Sequence, residues 1–277
     1  MTNIAINACT GRMGQQLLFA VDREASLKLV APLLRKGHKW AGEPVNSQFP
    51  HIHSSASLVD DLDNVSEPID VLIDFSLPEF SILTAEMCAQ RKIPMVIGTT
   101  GFSYQQKKKI ESIAHDIPVV MAPNMSVGVN LTLKLVELTA KLIGDDSDIE
   151  IIEAHHRFKK DSPSGTALRL GEAVADGLGK VFSEIAAFDR CGKDAVRRQG
   201  SVGFSAIRAG NIVGEHTALF AMANEEIEIT HKARDRQTFA EGALRAAVWV
   251  SKQSAGRYDM ADVLGLNELF VGKNSKA

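Results

Sequence analysis

One short segment, residues 153–166, concentrates side chains that can transfer protons or bind anions, in the order EAHHRFKKDSPSGT. If its first residues lie on a strand, Glu153, His155 and Arg157 face one side and His156 faces the other. Either histidine could then take part in acid–base chemistry while its neighbour packs elsewhere. The residues alone leave the choice between His155 and His156 open.

Positive charge and a predicted helix start follow within the same segment. Arg157, Lys159 and Lys160 bring three cations. Ser164 is a candidate N-cap for a helix that begins at Gly165. Free N–H groups at a helix N-terminus favour a carboxylate, as cations do. The segment therefore predicts a pocket for a small substrate with two carboxylates.

Three other interpretations compete with a catalytic one. A single histidine is more often a structural residue than a catalyst, and a basic run usually forms a solvated face. A zinc site is the third alternative, but the two histidines are adjacent and no cysteine lies near them. Because so many functional groups fall within a dozen residues, we favour a catalytic or binding segment and expect no metal.

Apolar runs of strand length alternate with helical segments through the first half of the chain. The runs are NIAINA, KLVAPLL, VLIDFS, PMVIGTTG and IPVVMAPN. Such runs are typical of strands that are buried on both faces. Pro78 fits the start of one intervening helix, and residues 104–115 form another. Strands separated by helices predict a doubly wound parallel sheet.

The pattern changes after Asn124. A helical segment at 128–143 leads into the alternating run DIEIIEAHH, and another helix follows from about Ser164. After a polar loop at 189–200, the runs VGFSAIR, HTALFAM and EIEITHKA suggest an antiparallel sheet. A final helical segment, 238–254, is apolar enough to pack on the first domain.

These elements predict an α/β protein with two domains. The first is a Rossmann-type doubly wound parallel sheet formed by residues 1–126 and 236–277. The second, residues 127–235, is an α+β domain with a mostly antiparallel sheet.

The turn after the first strand, ACTGRMG, is a candidate dinucleotide site. Glycines at a strand-to-helix turn let backbone N–H groups approach a pyrophosphate. Gly11 and Gly14 are present, whereas Ala8 and Thr10 stand where further glycines would be expected. The position of the turn, between a strand and a helix, favours cofactor binding over an ordinary tight turn.

The residues after the second strand predict which dinucleotide binds. An acidic residue about 20 positions beyond the turn normally holds the ribose of NAD. Leu34 occupies that position here, and the basic residues Arg35, Lys36, His38 and Lys39 follow. A cluster of this kind could neutralise the 2′-phosphate of NADP, so we expect NADPH to be preferred and NADH to remain possible.

Two later loops, GTTG at 98–101 and APNMSVGVN at 122–130, follow predicted strands. Ligands of open α/β sheets lie beyond the carboxyl ends of the strands. The small and hydroxyl side chains of these loops suit a nicotinamide ring, although glycine and asparagine also form ordinary loops.

Bulk properties exclude several classes of protein. The formal net charge of -3 argues against a nucleic-acid binder. Three widely spaced cysteines argue against a disulfide framework and favour a reducing compartment. No run of about 18 apolar residues occurs, so we expect no membrane span and a cytoplasmic protein.

The chemical segment resembles that of the 4-hydroxy-tetrahydrodipicolinate reductases, also called dihydrodipicolinate reductases. The most specific element is EAHHRFKKDSPSGTA, residues 153–167. GRMG, GTTG, APNMSVGVN, RAGNIVGEHT and EITHKA support the resemblance, which covers nearly the whole chain.

The resemblance implies an enzyme that reduces 4-hydroxy-tetrahydrodipicolinate with NAD(P)H in lysine and diaminopimelate biosynthesis. It also implies a homotetramer built by the substrate domain and a terminal helix that returns to the first domain. The matching catalytic residues are His155 and Lys159. Lys159 matches the family's proton donor, although either residue could deliver the proton. The matching substrate-binding residues are His156, Gly165 and Thr166. The matching cofactor contacts are Ala8, Cys9, Thr10, Gly11, Arg12, Met13, Arg35, Gly98, Thr99, Thr100, Ala122, Pro123, Asn124 and Met125.

Two alternatives remain. A dehydrogenase acting on another amino-acid intermediate would share the architecture, but the EAHHRFKKDSPSGT string argues against it. A non-catalytic nucleotide-binding sensor would keep the turn at residues 8–14 without needing paired proton donors.

Overall fold

A computed structural model describes residues 1–193 and 195–269. The chain divides into two compact units. Residues 1–127, together with the chain from Gln237 onward, form unit 1, and residues 128–236 form unit 2.

Strands and helices alternate through unit 1, whereas most strands of unit 2 follow one another. The strands are β1 (Thr2–Asn7), β2 (Leu27–Pro32), β3 (Val71–Asp74), β4 (Met95–Ile97), β5 (Pro118–Met121), β6 (Asp148–His155), β7 (Ala186–Ala187), β8 (Val202–Arg208), β9 (Gly214–Ala221), β10 (Glu226–Ala233) and β11 (Gly256–Tyr258). The α-helices are α1 (Arg12–Arg23), α2 (Val45–Gln48), α3 (Pro78–Arg91), α4 (Tyr104–Ile113), α5 (Val127–Ile143), α6 (Gly165–Leu178), α7 (Phe182–Ile185), α8 (Gln237–Val250), α9 (Met260–Leu264) and α10 (Leu266–Leu269).

Unit 1 contains a parallel sheet in the order β11-β5-β4-β3-β1-β2. Its central strands are apolar and buried on both faces, which is why they appear in the sequence as continuous hydrophobic runs. After β1 the chain moves to one side to form β2 and then returns to the other side to form β3. The carboxyl end of β1 therefore lies at a topological switch point, where sheets of this kind bind ligands.

Helix α8 follows unit 2 in the sequence but packs in the core of unit 1. Four buried alanines of α8 share one hydrophobic cluster with Leu17 and Val21 of α1: Ala240, Ala243, Ala246 and Ala247. Small side chains allow the two helices to approach closely. Helix α8 is thus part of unit 1.

Unit 2 contains a mixed sheet in the order β10-β9-β6-β8-β7. β6 pairs antiparallel with β9, and β9 pairs antiparallel with β10, whereas β8 runs parallel to β6. One face packs on α5 and α6 through residues such as Ile151, Val174 and Phe220. Although β8 and β9 are consecutive in the sequence, β6 lies between them.

The expected Rossmann-type parallel sheet and α+β second fold are confirmed. The short elements α2, α7, β7 and β11 were not predicted, because two to four residues carry no readable periodicity. In the described part of the chain, no helix is both long enough and apolar enough to span a membrane.

Candidate active site

Strand β6 carries Glu153 and His155 into the interior of unit 2. Alternate residues of a strand share a face, and Ile149 and Ile151 bury that face against α6. Glu153 is 1% exposed and His155 8% exposed. The apolar residues earlier in the strand therefore hold two ionisable groups in the core, at the carboxyl end of β6.

The carboxylate of Glu153 receives four hydrogen bonds. Arg208, at the end of β8, donates two of them through Nη1 and Nη2, each 2.7 Å long. His155 Nδ1 lies 2.6 Å from Oε2, and the backbone N–H of Ser164 donates to Oε1 at 3.1 Å. The parallel register, which pairs His155 with Arg208, brings the guanidinium to this position. A buried carboxylate with these partners is fully satisfied.

The environment fixes the protonation of both groups. Although burial alone would raise it, the bonds from Arg208 and His155 hold the pKa of Glu153 below its usual value. Burial lowers the pKa of His155, and the bond to Glu153 offsets only part of this effect. At neutral pH, Glu153 is therefore ionised and His155 is neutral. The proton of the imidazole lies on Nδ1, where it meets the carboxylate, so Nε2 carries a lone pair.

A second histidine, His216 on β9, connects this cluster to the start of α6. Its Nε2 lies 3.0 Å from Ser164 Oγ, and the ring packs edge-on against His155 with centroids 5.0 Å apart. Ser164 is the N-cap of α6 and accepts a hydrogen bond from Ala167 N. Burial, and next the nearby His155, lower the pKa of His216 to about 4.

Lys159 lies in the turn that follows β6. Its Nζ donates to Asp161 Oδ1 at 2.9 Å, and its side chain is 21% exposed. Although burial would raise the pKa of Asp161, the bond from Lys159 holds it below its usual value. The charge of Lys159 also contributes, after burial, to the lowered pKa of His155.

His156 and Arg157 differ from the sequence-based expectation. β6 ends at His155, so neither residue continues the strand and Arg157 does not share the face of Glu153. His156 is partly buried and its Nδ1 accepts the N–H of Phe158 at 3.2 Å. Arg157 is exposed in the turn, where its N–H donates to Gly210 O. The face-sharing prediction for Arg157 was wrong because the chain turns one residue earlier.

The predicted substrate-binding residues Gly165 and Thr166 form the first turn of α6. Gly165 is exposed, and no atom lies within 4 Å of the position a Cβ would take. No acidic residue occupies the first turn. The helix start therefore combines open space with the partial positive charge that favours an anion.

In unit 1, the residues predicted for the pyrophosphate form a tight turn between β1 and α1. Ala8 has a φ of 53°, a left-handed conformation in which glycine is usual, and Thr10, the other departure, has no positive φ. Gly14 is required, because a Cβ would lie 2.2 Å from Ala8 O. Gly11 is the N-cap of α1 and provides no side-chain cap. The first N–H groups of α1 are therefore available to an anion.

The other residues of the turn contribute through position rather than reactivity. Cys9 is fully buried, and burial raises the pKa of its thiol to about 12, so it remains a neutral thiol. Arg12 is exposed at the first position of α1, and Met13 packs against the core.

Leu34 is buried in the core, whereas Arg35 is exposed directly after it. Lys36 pairs with Asp61 at 2.6 Å, and Lys39 lies over the ring of Trp40. Arg35 makes no ion pair with any residue that the structure describes. Of the predicted basic cluster, Arg35 is thus the cation best placed to receive a further anionic group.

The remaining predicted cofactor residues follow the carboxyl ends of β4 and β5. Gly98, Thr99 and Thr100 begin the first loop, and residues 122–125 begin the second. Thr99 is buried, whereas Thr100 and Pro123 are exposed. The parallel sheet brings these loops to the same edge as the turn after β1.

Arg208 and His216 were not predicted as site residues. Both occur in RAGNIVGEHT, but their roles depend on the pairing of β6 with β8 and β9, which the sequence does not show. The signal in the sequence that could have indicated a partner such as Arg208 was Glu153, because a carboxylate on an apolar strand face needs a cation. Among the described residues, no group of three or more His, Cys, Asp or Glu side chains is arranged to hold a metal.

Comparisons with known proteins were consistent along the chain. The family model described as "Dihydrodipicolinate reductase, N-terminus" matches residues 2–125, and "Dihydrodipicolinate reductase, C-terminus" matches residues 128–264. A relative from Hahella chejuensis is 50% identical over 266 residues, which cover 96% of this chain and 100% of the relative. One from Nitrosospira multiformis is 48% identical over 270 residues, covering 96% and 98%. Both are named 4-hydroxy-tetrahydrodipicolinate reductase.

Solved structures share the fold. A dipicolinate-bound dihydrodipicolinate reductase from Paenisporosarcina sp. TG-14 aligns with a TM-score of 0.75 at 23% identity, covering 95% of this chain and 98% of that one. An amine dehydrogenase from Mycobacterium smegmatis aligns with a TM-score of 0.62 at 8% identity, covering 92% and 94%. Because dehydrogenases of another name share this fold, the fold alone does not identify a substrate.

Proposed function

The chain belongs to the dihydrodipicolinate reductase family, and on that premise we propose that it reduces 4-hydroxy-tetrahydrodipicolinate to tetrahydrodipicolinate with NAD(P)H and loss of water. The reaction is a step of lysine and diaminopimelate biosynthesis. The observation that carries the proposal is the His155–Glu153–Arg208 cluster, with Lys159 in the turn after the same strand and the start of α6 bonded to Glu153 through Ser164. This arrangement combines a proton donor with an anion site, which a small cyclic dicarboxylate requires.

The turn after β1 fits a dinucleotide. Gly14 has no room for a side chain, and the first N–H groups of α1 meet no side-chain cap. The backbone of residues 8–13 would hold the pyrophosphate, while the loops at 98–100 and 122–125 would surround the nicotinamide. When bound, the reduced nicotinamide supplies the hydride that adds to an electron-poor ring carbon of the substrate.

Lys159 is the group that supplies the proton. The substrate loses its ring hydroxyl and a neighbouring ring proton as water, which leaves a conjugated ring. Negative charge develops on this ring when the hydride adds to it, and a proton must neutralise that charge. His155 cannot donate readily, because its single proton is held on Nδ1 by Glu153 and its pKa is lowered. The ammonium of Lys159 has three donor hydrogens and shares one with Asp161. His155 Nε2 instead accepts a hydrogen bond, either from Lys159 or from the substrate, and helps to orient that group.

The start of α6 holds a substrate carboxylate. The N–H groups at Gly165 and Thr166 favour an anion, and Ser164 fixes their direction through Ala167 N and His216. His156, beside the turn, is available for a second polar contact. Orientation of the ring in this way accounts for a large part of an enzymatic rate.

Transfer of an isotope from the cofactor tests the proposed reaction. The substrate is generated in place by its synthase, and NADPH carries deuterium at the transferable C4 position. We expect one deuterium on a ring carbon of tetrahydrodipicolinate, detected by mass spectrometry. Oxidation of NADPH without labelled product, or no oxidation at all, would reject the function.

We further propose that NADPH is preferred over NADH. Leu34 is buried where NAD-specific proteins carry an acid. The exposed Arg35, which follows it, makes no ion pair within residues 1–193 and 195–269. A titration of both cofactors at moderate salt checks the preference. Equal or tighter binding of NADH would contradict it.

A homotetramer built by unit 2 is also proposed. The face of the mixed sheet opposite α6 carries Ile152 and Ile207, and Ile207 is 50% exposed. The same face also carries Thr217 and Thr230, whose hydroxyls lie 2.9 Å apart, so it is partly polar. A second copy of this face is the proposed partner. Sedimentation of the full chain checks the assembly, and a monomer would contradict it.

The cytoplasm is proposed as the location. Cys9, Cys88 and Cys191 are all free thiols, which suits a reducing compartment. Fractionation of cells that express the chain checks this location, and recovery outside the cytoplasmic fraction would contradict it.

A further inference from the structure

A carboxylate lies completely buried at the carboxyl end of β3. Asp74 is 0% exposed and makes no ion pair with any described residue. Asn7 Nδ2 donates to Oδ1 at 2.7 Å, and Thr99 Oγ1 donates to Oδ2 at 3.0 Å. Ser81 Oγ also donates to Oδ2. A buried carboxylate without a cation is costly unless donors satisfy it, and here three donors converge on it.

The first of these donors connects Asp74 to the turn after β1. Asn7 gives its amide hydrogens to Asp74 and to Thr84 Oγ1, which leaves its Oδ1 to accept the N–H of Ala8 at 2.9 Å. Ala8 is the residue with the left-handed φ. Asp74 thereby fixes the amide orientation of Asn7, and Asn7 holds the first peptide of the turn.

The second donor connects Asp74 to the loop after β4. Thr99 Oγ1 accepts the N–H of Ser76 at 2.9 Å while it donates to the carboxylate. The backbone of Asp74 also accepts the N–H of Gly98 at 2.9 Å. One residue therefore holds two loops that precede α1 and α4, on neighbouring parts of the same sheet edge.

We propose that Asp74 is a positioning residue for the dinucleotide, an inference that rests on the proposed function. It acts through Asn7 on the turn at 8–14 and through Thr99 on the loop at 98–101. An asparagine in its place has one accepting oxygen, so it could accept from either Asn7 or Thr99 but not from both. The remaining donor would then face the NH2 group of the asparagine, and the loop that this donor holds would lose its fixed position.

Cofactor binding and the KM for the substrate separate this role from a general loss of structure. The residues proposed for substrate binding and proton transfer all belong to unit 2. We expect Asp74→Asn to raise the Kd for NADPH about tenfold, equivalent to about 1.4 kcal/mol, with the KM for the substrate at saturating cofactor within twofold of the wild type. Asp70→Asn is the matched control, because Asp70 accepts the N–H of Asn3 at the opposite end of β3. An asparagine there keeps an acceptor, and we expect no change in Kd.

A double-mutant cycle tests the proposed connection through Asn7. Asn7→Ala alone should raise the Kd for NADPH at least threefold. The Kd of the double variant, which combines Asn7→Ala with Asp74→Asn, should exceed that of the weaker-binding single variant by no more than about twofold. A Kd within twofold of the wild type for Asp74→Asn, or fully multiplicative effects in the cycle, would overturn the proposal. If Asp74→Asn does not fold, a wild-type Kd for Asn7→Ala overturns it. Wild-type protein that binds no NAD(P)H would instead reject the proposed function.

Discussion

Replacement of Glu153 by glutamine tests the buried cluster of unit 2. The substitution keeps the shape of the side chain but removes its charge and half of its accepting capacity. The wild-type carboxylate receives two hydrogen bonds from Arg208, one from His155 and one from Ser164 N. In either orientation the new amide group points at a donor that needs an acceptor.

The expected cost follows from burial. Breaking a fully buried ion pair typically costs about 3–5 kcal/mol. Because the Arg208 side chain is 21% exposed and water can reach part of it, we expect a loss of about 2–3 kcal/mol in the free energy of unfolding. The imidazole of His155 also loses the partner that holds its proton on Nδ1. We expect kcat to fall about 100-fold for that reason, with the Kd for NADPH unchanged.

Urea unfolding followed by circular dichroism measures the stability loss. Fluorescence is less suitable, because Trp40 and Trp249 both lie in unit 1. Glu172→Gln is the matched control, since Glu172 pairs with Arg169 on the exposed surface of α6. A surface pair contributes about 0.5 kcal/mol or less. A loss for Glu153→Gln as small as the control, or an unchanged kcat, would refute the role assigned to the cluster.

Three further predictions concern separate features of the chain. The pKa of His216 is about 4 when folded and about 6.5 when unfolded, so the unfolded chain binds more protons between these values and stability falls as the pH falls. Because of this residue, the free energy of unfolding of the wild type should fall by about 2 kcal/mol between pH 7 and pH 4.5. Urea titrations of His216→Gln should lack that part of the decrease, and an equal decrease in both proteins would contradict the prediction. Ala8→Gly should stabilise the protein by about 1 kcal/mol by relieving the left-handed φ, and a lower Tm would be the wrong sign. Arg35→Ala should raise the KM for NADPH about tenfold but not that for NADH, whereas the surface control Lys28→Ala should change neither.

Much of the fold could be predicted because its signals are local. The buried strands of the parallel sheet are continuous apolar runs, and α1 and α6 begin at readable turns with Gly11 and Ser164. The pairing of β6 with β8 is not local, since about 50 residues separate them. Arg208, which reaches Glu153 through that pairing, was missed for this reason.

The candidate site was predicted in part. Glu153 and His155 share a face as the strand period requires, but the early end of β6 leaves Arg157 in a turn. Asp74 gave only a weak signal, an acid at the end of an apolar strand. Its importance depends on Asn7, at the end of β1, and on Thr99, in the loop after β4. The left-handed φ of Ala8 shows why a glycine was expected there, although the sequence itself carries alanine.

The initial rate of NADPH oxidation by the wild type and by Lys159→Ala tests the central claim most directly. The substrate is produced in place by its synthase, and the Kd for NADPH is measured on the same samples. We expect substrate-dependent oxidation by the wild type, a kcat about 100-fold lower for Lys159→Ala, and an equal Kd for NADPH in the two proteins. Wild-type oxidation that does not depend on the substrate, or a parallel loss of kcat and NADPH binding in the variant, would contradict the account.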